Sequence, residues 1–454
     1  MSEVNTYYFL GIGGIGMSAL ARYLAAKGLR VLGYDRTRTF LTEQLEMEGI
    51  QVQYSDSLFD VEALDVDSTI VVRTPAVPDD LAIYAWFREN NFQILKRAEM
   101  LGLLTREKKA LCVAGTHGKT TTSTMLAHVL QSSHIGTNAF LGGIANNYNS
   151  NLLLNPDSDL VVVEADEFDR SFHHLTPYIS IITSMDPDHL DIYGTHEAYS
   201  ESFQHYANLV KRALVVNKSI MSELTTSVSA EVYTYAVNEQ ADFYATDILV
   251  EDGRIKYNFH TPQNVIEDIE LGVPAWVNIE NSVAAMAVAW LMGATAEELR
   301  KGMRSFSGVY RRFNQHINSD KLAYVDDYAH HPTELHACIK SVRQLYPDRH
   351  IIGVFQPHLY SRTRDFAADF AKELSLLDEV VLLPIYPARE EPIEGVTSDA
   401  LLQQITCIDK CVVNREELVD FLHDRIEHIT TSCVIVTMGA GDIGELVNDI
   451  KQSL

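Results

Sequence analysis

Cysteine is scarce in this chain, at five in 454 residues, and the five follow no pattern. Cys112, Cys338 and Cys433 stand alone, and Cys407-x-x-x-Cys411 has no second pair to complete a metal or redox motif. All five read as core or surface thiols, which argues against a disulfide scaffold. Basic residues are also in deficit: 36 Lys and Arg face 62 Asp and Glu, a formal net charge of −26 at pH 7. A bulk surface of that sign argues against a general binder of nucleic acid or of anionic membranes, although local basic groups can still hold phosphates. No apolar run approaches the ~18–20 residues of a membrane span. The opening stretch, MSEVNTYYFLGIGGIG, lacks the basic segment that begins a signal peptide. These absences predict a cytoplasmic protein with neither nucleic-acid nor membrane partners. What remains is an ordinary globular composition over a length that fits about three domains.

The stretch that organises the chain is LCVAGTHGKTTT, residues 111–122. A short apolar run, 111–114, reads as a buried strand, and it breaks into Gly115-Thr116-His117-Gly118-Lys119-Thr120 before a helix opens at Thr121. Glycines let backbone N–H groups close round a phosphate, and the helix N-terminus adds its partial positive charge. In that setting Lys119 neutralises terminal phosphates and the Thr120 hydroxyl sits on Mg²⁺. Val113 stands where the longer P-loop has its first glycine, so this is the shorter form GTxGKT. The site predicted is one for a nucleotide triphosphate.

A second glycine loop lies near the start. Residues 7–10 predict a strand, Gly11-Ile12-Gly13-Gly14-Ile15-Gly16 follows, residues 17–27 predict a helix, and 29–34 a second strand closing on Asp35. Strand, G-x-G-x-x-G, helix, strand and an acid about 20 residues on make the setting of a dinucleotide fingerprint. Taken alone it suggests an NAD-dependent dehydrogenase with Asp35 on a ribose. The loop itself recognises a diphosphate, however, and any nucleotide sugar carries one. Thr74 and Pro75 follow the strand at 69–72 and belong to a rigid loop at the sheet's carboxyl edge, where doubly wound sheets place ligands.

Between these loops and the C-terminus, acids gather at strand ends. Residues 159–163 predict a buried strand ending on Glu164, placed to ligate Mg²⁺ beside the phosphate loop, with Asp166, Glu167 and Asp169 expected as a solvated acidic loop. The Gly- and Asn-rich stretch 136–149 predicts a long loop. A strand at 179–183 runs toward His189, which the convergence of strand ends brings to the same crevice. Asn278 and Asn281 lie in the first turn of a helix, as caps or as adenine contacts. Beyond residue 312, strands at 322–325, 351–355, 379–383 and 434–437 alternate with helices and end on polar residues, the pattern of a further α/β unit. The pair His330-His331 is a poor chelate without partners.

The ordered set GIGGIGMS (11–18), GTHGKTTT (115–122), VVEADEFDRSF (162–172), DPDHLDIYG (186–194), YRRF (310–313), DDYAHHPTE (326–334) and FQPHLYSRT (355–363) resembles the Mur ligases over nearly the whole chain. The resemblance implies a three-domain α/β enzyme. A Rossmann-like sugar-nucleotide domain spans 1–106, a central P-loop ATPase-like parallel-sheet domain spans 107–312, and a C-terminal Rossmann-like domain spans 313–454. It implies ATP-driven amide formation through an acyl phosphate, with UDP-N-acetylmuramate, L-alanine and ATP as partners. Mg²⁺ is the implied cofactor, and a monomer or weak homodimer the expected assembly. By resemblance, Thr120, Glu164 and His189 hold metal, and Asn278, Asn281, Arg312 and Asp327 hold ATP together with residues 115–121. Lys119, Glu164, His189, Arg312 and Asp327 are the implied catalytic set, and His331, His358 and Arg362 meet the amino acid. ATP is expected between the second and third domains, with hinge closure. Four positions depart from the pattern: Val277 replaces a His, Leu359 replaces a charged residue, Ser184 replaces an Asn, and 196–210 lacks the lysine that sibling ligases carbamylate. A ligase for a recycled tripeptide shares most of these residues. A dehydrogenase leaves Lys119, Glu164 and His189 unexplained, and a non-catalytic nucleotide-binding regulator would release no phosphate.

Overall fold

The computed structural model describes residues 4–186, 190–224, 228–251, 253–388 and 390–454. Its strands form three sheets. The first joins β1 (Thr6–Leu10), β2 (Arg30–Tyr34), β3 (Gln51–Gln53), β4 (Thr69–Arg73) and β5 (Gln93–Lys96) in the order 3-2-1-4-5, every pair parallel. The order reverses at β1, so the glycine loop after β1 lies at the switch point where such sheets bind ligands.

The second sheet runs from β6 to β15: β6 (Lys109–Ala114), β7 (Asn138–Ala145), β8 (Ser150–Leu153), β9 (Leu160–Ala165), β10 (Pro177–Ile182), β11 (Ala213–Asn217), β12 (Glu231–Val237), β13 (Phe243–Glu251), β14 (Arg254–His260) and β15 (Val265–Glu270). Their order is 15-14-13-12-11-10-6-9-7-8. β6 sits between β10 and β9, parallel to both, and is buried from Ala110 to Ala114, which explains its unbroken apolar run. The stretch 136–149, expected as a loop, instead supplies β7, parallel to β9 and antiparallel to β8. The third sheet, β16 (Asn314–Asn318), β17 (Leu322–Asp327), β18 (His350–Phe355), β19 (Glu379–Leu382), β20 (Asp409–Val412) and β21 (Cys433–Met438), has the order 16-17-21-18-19-20. Only β16 pairs antiparallel.

The chain packs as two compact units. One comprises Met1–Thr246, Phe259–Ile266 and Asn281–Met303, the other Asp247–Asn258, Glu267–Glu280 and Arg304–Leu454. In the first, Phe9, Leu20, Val163, Ile182 and Leu214 belong to one continuous buried cluster that runs under both sheets. In the second, Tyr324, Ile352, Val381 and Ile435 centre the core. All five cysteines are free thiols, and Cys407 donates a hydrogen bond to the Asp378 carbonyl.

Candidate active site

Both glycine loops adopt the backbone their sequence predicts. After β1, Gly11 has φ +82, and its amide and that of Ile12 both donate to the Tyr34 carbonyl. A Cβ at Gly11 would lie 2.6 Å from Thr74 Cγ2, so Thr74 closes the loop from the β4 side. Gly14 caps the helix Ile15–Ala26 with no side-chain hydrogen bond. Asp35 accepts the Gly13 amide at 2.8 Å and the Thr37 amide at 3.2 Å. Its carboxylate therefore holds the loop together from within, where the fingerprint alone would aim it at a ribose. Pro75 continues the loop beyond Thr74. Asn151 of β8, fully buried, donates to the Ile15 carbonyl and Ser18 and accepts from Arg22, anchoring the same helix.

After β6, Gly115 has φ +127 and Gly118 has φ +80, and Gly118 caps the helix Lys119–Gln131 without a side-chain bond. The residues at 183–186 brace the loop. Thr116 donates its amide to the Ser184 carbonyl and its hydroxyl to the Asp186 carbonyl, and the His117 amide donates to Ser184 Oγ. Ser184, a departure from the family pattern, thus keeps the loop's shape through its hydroxyl. Thr120 and Thr121 are half-buried in the first helical turn. Asn281 lies against this loop: its Oδ1 accepts Thr122 Oγ1 at 3.1 Å and would be 2.7 Å from a Cβ at Gly118. Asn278, also buried, donates to the Val273 carbonyl.

Lys119 is the centre of the site. Its Nζ reaches the Gly115 carbonyl at 2.6 Å and both Glu167 oxygens at 2.8 and 2.9 Å. Burial pulls the lysine's pKa down, but the carboxylate of Glu167, with those of Asp166 and Glu164 behind it, more than reverses the effect and keeps the ammonium charged. The acidic stretch expected to be solvated is therefore structural. Glu167 is 1% exposed, Asp166 pairs with Arg97 at 3.1 Å, and Asp169 pairs with Lys96 at 2.9 Å. Sequence reasoning missed Glu167, Arg97 and Asn151 because each acts through a tertiary contact that no spacing announces.

Glu164 is at the carboxyl end of β9, as expected, within 3.4 Å of Ser123 Oγ. A Cβ on Gly142 of β7 would lie 2.1 Å from its Oε2, so the carboxylate rests on bare backbone. His189 lies outside the described residues. Among the described residues, no group of three His, Cys, Asp or Glu side chains is placed to hold a metal ion.

In the second unit, Arg312 follows Arg311, whose buried guanidinium pairs with fully buried Asp326 at 3.1 Å and donates to the Gly439 carbonyl at 2.7 Å. Arg311 and Phe313, at φ 59 and 48, flank Arg312 in the left-handed region. Asp327, at the end of β17, accepts the Phe313 and Ala329 amides, each at 2.7 Å. Burial pushes its carboxyl up to about 6, against the pull of Arg312 and of those amides. Glu334 gathers the neighbouring groups, 3.8 Å from Arg312 and accepting the amides of His330 and His331. His331 caps the helix Pro332–Leu345, and burial lowers the pKa of His330 in spite of Glu334. The His358 ring stacks at 5.7 Å on Tyr386, and Arg362 lies in the helix Tyr360–Asp365. Leu359 takes φ +68 and donates its amide to the Tyr386 carbonyl.

Three family models match in succession: "Mur ligase family, catalytic domain" over 6–109, "Mur ligase middle domain" over 113–289 and "Mur ligase, glutamate ligase domain" over 311–441. A UDP-N-acetylmuramate–L-alanine ligase of Porphyromonas gingivalis is 53% identical over 452 residues, covering 98% of each chain. One of Flavobacterium johnsoniae is 46% identical, covering 100% of this chain and 99% of the relative. The crystal structure of a UDP-N-acetylmuramate–alanine ligase from Thermotoga maritima is similar with a TM-score of 0.81 at 27% identity, covering 98% of each chain. With three family models matched in succession and relatives alike from end to end, the chain belongs to the Mur ligase family.

Proposed function

We propose that this protein is an ATP-dependent ligase that joins L-alanine to the lactyl carboxylate of UDP-N-acetylmuramate, releasing ADP and phosphate, in peptidoglycan precursor synthesis. The observation that carries the reading is the loop from Gly115 to Gly118 closed around Lys119, in a chain 53% identical over nearly its full length to a relative of that activity. A carboxylate oxygen is a poor leaving group and phosphate a good one, so the carboxylate is phosphorylated first. The alanine amine then attacks the acyl phosphate, and the tetrahedral intermediate collapses to amide and phosphate. Two dense negative charges must meet in the first step, and Lys119 with the amides of its helix N-terminus lowers that barrier.

The Thr120 hydroxyl and the Glu164 carboxylate are hard oxygen donors beside the loop, a set that suits Mg²⁺. Bound there, Mg²⁺ would screen the phosphate charge during transfer. His189 joins this set through the motif it occupies. Gly11, Gly13, Gly14, Ile15, Gly16, Thr74 and Pro75 hold the diphosphate end of the sugar nucleotide, with Asp35 fixing the loop's shape. By the motifs they occupy, the loop at 115–121 and Asn281 are assigned to ATP, and so, in the second unit, are Asn278, Arg312 and Asp327. His331, His358 and Arg362 take the amino acid, whose carboxylate suits a guanidinium. Residues 1–106, 107–312 and 313–454 divide these tasks, and the reaction belongs to the cytoplasm.

The test is phosphate release from ATP with UDP-N-acetylmuramate, adding L-alanine, glycine, L-serine or the murein tripeptide separately. Release that requires both the sugar nucleotide and L-alanine, and is lost in Lys119→Ala, is the expected result. Release with the tripeptide alone would move the protein to the recycling ligases. No release with any amine, from folded protein that binds ATP, would sink the ligase reading.

A further inference from the structure

The turn after β9 is built to carry one carboxylate to Lys119. The Glu167 carbonyl accepts the Tyr193 hydroxyl at 2.5 Å and the Arg170 amide at 3.0 Å. The Asp166 carbonyl accepts the Phe172 amide at 2.9 Å. Asp169 and Arg170 follow at φ 52 and 53, two successive side-chain-bearing residues in the left-handed region. Such strain persists only where the surroundings enforce it, and it gathers at functional sites.

The lysine ammonium has three hydrogens to donate. Four acceptors surround it: the Gly115 carbonyl at 2.6 Å, Glu167 Oε2 at 2.8 Å and Oε1 at 2.9 Å, and the Thr116 carbonyl at 3.3 Å. Its protons are all engaged inside the protein, so a phosphate reaches Nζ only by taking the place of one acceptor. Two of the four are the loop's own backbone. The exchangeable one is Glu167, and a carboxylate and a phosphate beside one ammonium repel each other.

We propose that Glu167 is a positioning residue that holds Lys119 in the nucleotide-free loop and yields it to the terminal phosphates of ATP, so that the exchange sets ATP affinity. The inference rests on the ATP-ligase reading of this loop. It gives Glu167 a part distinct from that of Glu164, which faces Ser123 and Gly142 instead.

The experiment measures ATP binding to the full chain by calorimetry, without sugar nucleotide or amino acid, alongside KM for ATP and kcat in phosphate release. Glu167→Gln keeps the shape and removes the charge. It should bind ATP about tenfold more tightly, with KM for ATP falling in parallel and kcat not rising. A merely structural role predicts the opposite, weaker binding with a lower melting temperature. Equal or weaker ATP binding by a folded Glu167→Gln overturns the proposal. If that variant does not fold, the wild-type protein decides through the Lys119 Nζ resonance in ¹⁵N-lysine-labelled protein. A shift of that resonance on ATP titration supports the exchange, and an unmoved resonance overturns it. A wild-type chain that binds no ATP at all would instead defeat the nucleotide reading of the loop.

Discussion

Arg97 donates from Nη2 to Asp166 at 3.1 Å while its Nη1 occupies the space that a Cβ on Gly16 would need, 2.6 Å away. One guanidinium thus stands over the N-terminus of the helix after the first glycine loop and is held there by the turn that also serves Lys119. A cation at that helix end adds to the field a diphosphate would meet. Gly16→Ala displaces a flexible side chain, not backbone, and should cost under about 1 kcal/mol in folding. It should nevertheless raise KM for the sugar nucleotide about tenfold, a loss near 1.4 kcal/mol. Arg97→Met should do the same without any clash. Thermal melts and steady-state kinetics of both variants check this, and an unchanged KM in both would remove the guanidinium from the diphosphate site.

Gly115 is a different case. Its φ of +127 excludes a side chain on conformational grounds, and a Cβ there would lie 2.1 Å from Thr183 Oγ1 and 2.8 Å from the Ser184 amide nitrogen. Gly115→Ala should destabilise the first unit by about 3 kcal/mol, since backbone must move. Urea unfolding of the variant gives the figure directly.

His128 lies on the helix Lys119–Gln131, buried, with Nδ1 2.8 Å from the Tyr148 hydroxyl. Burial lowers its pKa to about 4. The unfolded chain binds this proton more readily than the folded one, so the stability held here is complete above about pH 6.5 and declines as pH falls toward 4. Between pH 7 and pH 5 the loss should be about 2 kcal/mol. His128→Gln should lack that part of the pH dependence, which denaturant titrations at the two pH values will resolve.

The ion pair of Arg311 with Asp326 is buried on both sides. Arg311→Met leaves the aspartate without its cation and should cost about 3–5 kcal/mol. Adding Asp326→Asn should recover part of that loss, because the unpaired charge is the larger penalty and Thr437 Oγ1 can still donate to the amide oxygen. A double-mutant cycle by calorimetric melting measures the recovery, and strictly additive losses would refute the coupling.

The two glycine loops were legible because glycine, a preceding apolar strand and a following helix are local properties, and the positive φ of Gly115 and Gly118 is one of them. The partners of those loops were not. Nothing in the spacing of Glu164, Asp166, Glu167 and Asp169 distinguishes a solvated acid from the buried partner of Lys119, since that is decided by which strands pair. The stretch 136–149 misled for a related reason. Its glycines read as turn residues, yet Gly142 is bare so that the Glu164 carboxylate can rest on the strand. Glycine there serves close approach, and composition cannot tell that use from a bend. Arg311 and Arg312 are adjacent arginines in sequence, and only the fold separates the one that braces β17 from the one half-exposed at the strand ends.

Neighbouring carboxylates in the turn after β9 reach apart, Asp166 toward Arg97 and Glu167 toward Lys119, while Asp169 takes Lys96. Two of those three cations come from residues 96 and 97, at the end of the first sheet. A chimera that exchanges residues 1–106 for those of another ligase therefore cuts through a shared electrostatic unit. Grafts that keep a lysine and an arginine at those two positions should express as folded protein. Grafts that lose them would strand Asp166 and Asp169 without their cations in the turn that carries Glu167 to Lys119, and a deletion of a single residue within the turn would redirect every one of these side chains at once.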